Sequence, residues 1–432
     1  MLRVRPTLER GAALAMPGVA ALLSLLLLTA PAVAATWDVA AGDDLSVAVA
    51  RAAPGDVLRL GPGRHEGPIT IDRPLRLDGT AETVIDGRGT GRVVTIDAPD
   101  VTLSGLTIAG SGASLAEEDS GIFVTKKGDR ALIEGNRLEG NLIGVYLKGP
   151  EAAVVRGNRI TGRGDLRVNE RGNGVQLWNT PGSVVEDNLI RLGRDGIFVT
   201  TSRDNRFSGN EFRELRFAVH YMYTNDSEVS GNLSRGNHIG YALMFSKRLR
   251  VLGNTSRGDR DRGLLLNYAN DALIEGNTVE GDNRQAGPEK CVFIYNANKN
   301  RLLGNRFQGC DIGIHFTAGS ERNAIAGNAF IGNRSQVKYV GTRHIEWSLA
   351  GRGNYWSDNT GFDLDGDGLA ERPYRPNDLV DQIVWRHPLA KLLLNSPATQ
   401  VLRWAQSAFP TLYPGGVTDS HPLMASPGRG EG

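Results

Sequence analysis

The feature that most constrains this chain is an asparagine that returns on a beat between Ala131 and Gly332. It stands at Asn136, Asn158, Asn188, Asn210, Asn232, Asn254, Asn277, Asn305 and Asn328, at intervals of 22, 30, 22, 22, 22, 23, 28 and 23 residues. A small residue followed by alternating large ones keeps the same beat. It runs from Gly121-Ile122-Phe123-Val124 through Gly196-Ile197-Phe198-Val199 and Cys291-Val292-Phe293-Ile294 to Gly313-Ile314-His315-Phe316. A period in the low twenties, built of short strands and Gly/Asn turns, is a solenoid signature. The strands alternate with period two, and no apolar run has helical spacing. Leucine-rich repeats need a leucine scaffold and an arc of helix, and neither is present. The fold expected is all-β, a right-handed parallel β-helix whose coils stack at about 4.8 Å. The repeated Asn falls at a corner, where identical amides stack into a hydrogen-bonded ladder, so these residues read as structural rather than as ligands.

A chain of 432 residues with 40% apolar content carries enough core for one long solenoid domain. The net charge of +1 gives no basic excess that points to nucleic acid. The first 34 residues read as a signal peptide. Arg3, Arg5 and Arg10 are its positive end, Val19 to Leu28 its apolar stretch, and Ala32-Val33-Ala34 its cleavage site. Removing Arg3, Arg5, Arg10 and Glu9 takes away a charge of +2 and leaves −1. The expected product is exported to the periplasm, with an uncleaved anchor as the alternative.

The β-helix is expected over residues 36–350. Leu45 to Ala53 reads as a capping helix with Val47 and Ala50 on one side. The coil of 30 residues carries extra sequence around Gly162 to Asn173 and that of 28 around Asp282 to Lys290. Both insertions fall between the Asn and the small-residue mark, so both loops leave one edge of the solenoid. Cys291 and Cys310 lie at the starts of neighbouring coils and are a candidate disulfide, a metal site being the alternative. After about Ile345 the repeat fades into an Asp/Gly-rich segment, residues 351–387. There Asp363, Asp365 and Asp367 alternate as in the first half of a calcium loop. The residue at the usual bidentate position is Tyr374, leaving Glu371, Asp378 or Asp381 to substitute; otherwise this is a solvated turn. Residues 388–432 read as a C-terminal helix and tail for partner docking. Ser396-Pro397 opens the helix, Val401, Leu402, Ala405, Ala408 and Phe409 share a face beside Trp404, and Pro410 ends it. It caps the last coil or docks on a membrane partner.

Alternation gives the outward residues of successive coils. They are Tyr146/Lys148, Gln176/Trp178, Phe198/Thr200, His220/Met222, Ala242/Met244, Leu265/Asn267, Phe293/Tyr295 and His315/Thr317. The row holds no carboxylate, whereas β-helix hydrolases need a pair roughly 5–9 Å apart; Asp195 and Asp311 lie just outside it. An exposed row containing Trp178, Phe198, Phe293 and Tyr295 suits a protein or sugar partner. Met222 and Met244 are 22 residues apart and stack; His220 shares their face and His238 precedes Met244 by six. Thioether plus imidazole favours Cu(I), against the plainer reading that these residues are packing. His421 and Met424 are a second candidate pair.

Several segments resemble the NosD family. They are Gly55-Asp56-Val57, Gly61-Pro62-Gly63-Arg64-His65, the Asn-Gly coils, Gly353-Asn354-Tyr355-Trp356-Ser357-Asp358, Asp363-Leu364-Asp365-Gly366-Asp367-Gly368, Val380-Asp381-Gln382, Pro388-Leu389-Ala390 and Pro422-Leu423-Met424. The resemblance spans the chain after the signal peptide. It implies a β-helix of the carbohydrate-binding and sugar-hydrolase type that has no enzymatic activity. It also implies work with an ABC transporter (ATPase and membrane subunit), with a copper chaperone and with nitrous oxide reductase, whose copper centres the family helps to assemble. It implies copper, or a copper–sulfur centre, as cargo but supplies no ligand motif. No Walker A sequence is present, so energy is left to the partner ATPase. The alternative function is binding or cleaving a polysaccharide.

Overall fold

The computed structural model describes residues 34–281, 288–341, 343–393, 396–409 and 415–428. Residues 1–33, read above as most of a signal peptide, and residues 282–287 of the second insertion lie outside them. The fold is the parallel β-helix that the repeat implies. Each regular coil gives one short strand to each of three sheets, of thirteen, twelve and thirteen strands. We call the twelve-stranded sheet, which carries the small-residue marks, the face sheet. The sheet preceding it in each coil is the edge sheet, and the third is the back sheet. Strands pair in parallel with their equivalents one coil away.

Inward side chains such as Ile197, Val199, Val219 and Tyr221 fill a continuous core. The asparagine ladder runs along one corner. Each backbone N–H from Asn136 to Asn328 donates to the side-chain oxygen of the next asparagine at 2.9–3.1 Å. The side-chain amides donate along the same direction and to backbone carbonyls, as with Asn232 to Phe207. This satisfies backbone groups that a buried corner would otherwise orphan.

The last rung is Asn354, 26 residues beyond Asn328. Tyr355–Trp356 then joins the edge sheet, so the solenoid runs one strand past the boundary expected at 350. The C-terminal tail seals this end. Val417–Thr418 pairs with Ile345–Glu346. The buried carboxylate of Asp419 accepts from the Asn354 N–H at 2.7 Å and from Trp356 Nε1 at 2.8 Å. Burial pushes its carboxyl above the usual range in spite of those bonds.

Helix α1, Leu45–Arg51, caps the first coil, with Asp44 accepting from the Val47 N–H. It buries Leu45 and Val49 and exposes Val47. Residues four apart carry the two larger apolar groups inward, and Val47 and Ala50 share the exposed side. Helix α2, Leu379–Arg386, begins with a reciprocal cap between Asp378 and Asp381 and buries Val380 and Val384. Helix α3, Pro397–Ala408, opens at Ser396 and packs on α2. It buries Thr399 and Gln406, and the Gln406 side-chain oxygen accepts from the Leu379 N–H at 3.2 Å. Its apolar residues Val401, Leu402 and Trp404, with Phe409 at its end, lie on the exposed side. Cys291 and Cys310 are disulfide-bonded, with Cα atoms 5.6 Å apart, tying consecutive coils together.

Candidate metal-binding face

The face sheet aligns Phe198, His220, Ala242, Leu265, Phe293 and His315 in one outward column. Thr200, Met222, Met244, Asn267 and Tyr295 form the next. Openness is where the expectation fails. Tyr146, His220, Ala242 and Leu265 are buried, and Phe198 and Phe293 are half-buried. Tyr146 packs with Phe123 and Ile143; beside the others runs a third outward column comprising Asp195, Phe217, Ile239, Arg262 and Lys290. Strict alternation misses this column because it slips at the small residue. A Cβ on Gly196 would lie 2.5 Å from the inner ring of Phe212. Gly196 and Ile197 therefore both face the core, and Asp195 emerges on the outer face.

Asp195 is the carboxylate that the alternation left out, and it holds His220. It is fully buried. Arg216 donates from Nε at 2.8 Å and from Nη2 at 2.7 Å, one bond to each carboxylate oxygen. His220 Nδ1 lies 3.0 Å from Oδ2. Burial pushes the Asp195 carboxyl up, but the bonds from His220 and Arg216 outweigh it and hold the group below the usual carboxylate range. An ionised carboxylate only accepts, so Nδ1 of His220 carries the proton in this bond, and in the neutral ring the Nε2 lone pair is left over.

The His220 ring sits between Phe198, at 5.0 Å between centroids, and Phe217, edge-on at 4.8 Å. Its neighbour across the ladder is the small Ala242. Nε2 is buried and has no hydrogen-bond partner among the described residues. Met222 stands two residues along the strand and Met244 directly beside Met222. Their Cα atoms are about 7 Å and 5 Å apart in such a lattice, within reach of flexible thioethers. Imidazole nitrogen oriented by a carboxylate, with thioether sulfur beside it, is a soft donor set suited to Cu(I).

The other candidate ligands do not join this group. His238 is half-exposed at the corner, 3.8 Å from Asp261. It lies four positions before Ala242, about 13 Å along the strand. His421 and Met424 belong to the C-terminal seal, where His421 Nδ1 lies 3.2 Å from Ser348 Oγ and the Met424 N–H reaches Gly368. That end is about 29 Å from the His220 coil, six strand spacings away. Of the calcium candidates, Asp363 and Asp365 converge with Glu371, while Asp367 instead caps the Leu369 N–H at 2.8 Å.

Trp178 and Tyr295 are exposed. The larger aromatic feature is one corner further on: Tyr223, Phe245 and Tyr268 directly follow Met222, Met244 and Asn267. All three have left-handed backbones, φ 51°, 50° and 51°. Their rings stack at 5.1 and 5.2 Å, and Tyr295 meets Tyr268 edge-on. The sequence signal was an aromatic at 22- and 23-residue spacing just outside the row. Rings stacked on one another offer edges, not the open faces on which a sugar stacks.

The fold is that of a parallel β-helix protein, with His220, Met222 and Met244 as candidate nitrogen and sulfur donors on its face. A sequence profile described as "Periplasmic copper-binding protein (NosD)" matches residues 156–361. A "Probable ABC transporter binding protein NosD" of Pseudomonas aeruginosa is 46% identical over 89% of this chain and 94% of its own length. The protein so described in Stutzerimonas stutzeri is 42% identical over 85% and 87%. The chain belongs to the NosD family. Similarity to solved structures concerns the fold alone. The Streptococcus pneumoniae surface adhesin PfbA gives a TM-score of 0.54 at 12% identity, covering 68% of this chain and 94% of that one. DFA-IIIase from Arthrobacter chlorophenolicus A6, without its lid, gives 0.50 at 14%, covering 72% and 100%.

Proposed function

We propose that this chain is an exported accessory protein for maturation of nitrous oxide reductase, binding Cu(I) on its face and passing it on in concert with an ABC transporter. Copper is cargo here. His220 Nε2 is the nitrogen donor and Met222 and Met244 are the sulfur donors. The observation that carries the reading is the buried, unpartnered Nε2 of a ring whose other nitrogen is fixed by Asp195. Loading requires a flanking ring or thioether to swing aside, which gives a partner control over access. Export through a cleaved signal peptide supplies the compartment. The copper chaperone and the reductase are the partners on the face; the transporter's membrane subunit, driven by its ATPase, is the partner at the C-terminal end.

That last assignment rests on the outward apolar side of the C-terminal helices. Leu389 and Leu392 are 84% and 86% exposed, and Val401 and Phe409 are more than half exposed. Large apolar side chains exposed to this degree point to an interaction surface. A polysaccharide-acting role is disfavoured, because both oxygens of Asp195 are engaged by Arg216 and His220.

The test is anaerobic Cu(I) titration of the mature protein against a chromogenic chelator, with a glycan array in parallel. One Cu(I) per chain in the wild type, lost in His220→Ala and weakened in Met222→Ala/Met244→Ala, is expected. Unchanged uptake in these variants returns the residues to packing, and sugar binding without copper uptake replaces the reading.

A further inference from the structure

The four coils between the two long ones share a feature that the chain's near-neutral net charge hides. The outer residue at the end of the edge-sheet strand is Arg191, Arg213, Arg235 and Arg257 in turn, and these are direct ladder neighbours. The column is bounded by Thr161 on the coil with the first insertion and by Glu280 on the coil with the second. Like charges directly opposite each other on parallel strands repel. The back sheet avoids this: its corresponding column runs Glu134, Arg156, Glu186, with Arg156 donating to Glu134 at 2.7 Å.

On the edge sheet the compensation is incomplete. Arg213 bonds Glu211 on its own strand and Arg257 bonds Glu280. Arg191 has a Thr161 hydroxyl at 3.3 Å. Arg235 is exposed and has no ion-pair partner among the described residues. Arg213 and Arg235 lie on the strands that lead into the His220/Met222 and Met244 strands of the face sheet.

We propose that this arginine ladder is a docking rail for an α-helix of a partner protein that carries one carboxylate per turn. Complementarity of charge and pitch selects this occupant. The ladder offers one guanidinium every 4.8 Å or so, about 14 Å over its three steps. A helix with a carboxylate on each turn repeats every 5.4 Å and drifts by only about 2 Å over the same steps. An extended strand repeats every 6.7 Å or so on one face and drifts by about 6 Å, which costs it the outer rungs. Guanidinium–carboxylate pairs supply the strongest contacts open to such a surface. The rail stands on the ladder geometry and does not depend on where copper binds.

The probe is a 16-residue helical peptide with four glutamates in a one-per-turn stripe. Its control has the same composition, charge and helicity with the glutamates spread around the helix. Both are titrated into the full mature protein by fluorescence anisotropy. The striped peptide is expected to bind about tenfold more tightly than the control. The double variant Arg191→Gln/Arg235→Gln is expected to lose that preference while its melting temperature stays level or rises. A merely structural role would lower the melting temperature. Equal binding of the two peptides, or a preference that survives the double substitution, overturns the proposal. Failure of both peptides alongside arginine-dependent binding to phosphatidylglycerol vesicles overturns it in favour of an anionic membrane surface.

Discussion

Replacing Asp195 by Asn keeps the shape of the side chain and removes what makes it a support for His220. Three donors converge on this carboxylate: Arg216 Nε and Nη2, and His220 Nδ1. An amide has one accepting oxygen, and its NH2 group must face one of those donors. Either the Arg216 fork or the His220 ring loses its partner. Breaking a fully buried pair costs about 3–5 kcal/mol. The Arg216 side chain is 30% exposed and rehydrates, so a loss nearer 2–3 kcal/mol is expected.

The consequence for copper is separate from this. Loss of the carboxylate that orients a ligating histidine weakens metal binding about 10- to 100-fold, which is about 1.4–2.7 kcal/mol. The assay is competitive Cu(I) titration of Asp195→Asn beside thermal melts, with His220→Ala as the no-site reference. An intermediate affinity, between wild type and His220→Ala, is expected in a protein that still melts cooperatively. An affinity within twofold of wild type refutes the orienting role of Asp195. An affinity equal to wild type in His220→Ala as well would move the copper site elsewhere.

Three further outcomes follow from particular contacts. Asp259 is buried among Ser234, Ser256 and the Asn237 N–H, and its carboxyl is pushed up to about 6, chiefly by burial. The folded state therefore keeps a proton that the unfolded chain releases between about pH 4 and 6, and stability falls as pH rises through that window. Asp259→Asn is expected to be about 1–2 kcal/mol more stable than wild type at pH 7.5, with the gain gone below pH 4; equal melting temperatures at pH 7.5 would contradict this. Reducing the Cys291–Cys310 bond opens a loop with a sequence separation of 19 and is expected to cost about 3 kcal/mol. A melt unchanged by reductant would show that the bond does not form in solution. Val401→Ser/Phe409→Ser should leave the melt unaltered, since both side chains are more than half exposed, yet release the protein from membranes that contain the transporter. Substitution is preferable to deleting the tail, because Asp419 seals the last asparagine rung.

The fold was legible because stacking makes identity visible: the same corner requires the same Asn, and the same outward slot recurs every 22 or so residues. The register of His220, Met222 and Met244 follows that arithmetic. What was hidden depended on local departures. Asp195 was noticed only as a neighbour of the row, and its place on the outer face was hidden because Gly196 breaks the alternation where Phe212 crowds the inner side. The apparent aromatic row closed over because Phe217 and Ile239 occupy the column beside it. Asn354 lay beyond a stretch with no repeat, and only its bond to Asn328 marks it as a rung. Helix α3 was legible from Ser396-Pro397, but which side it buries was not, because that depends on α2 and Gln406. The arginine ladder was cancelled in the net charge by acids on other faces.

The most direct test is a copper anomalous difference map from crystals of the mature protein loaded anaerobically with Cu(I). One peak is expected, beside His220 Nε2 and the sulfur atoms of Met222 and Met244. A peak at His421 and Met424, at His238, or nowhere on the face sheet would contradict the assignment.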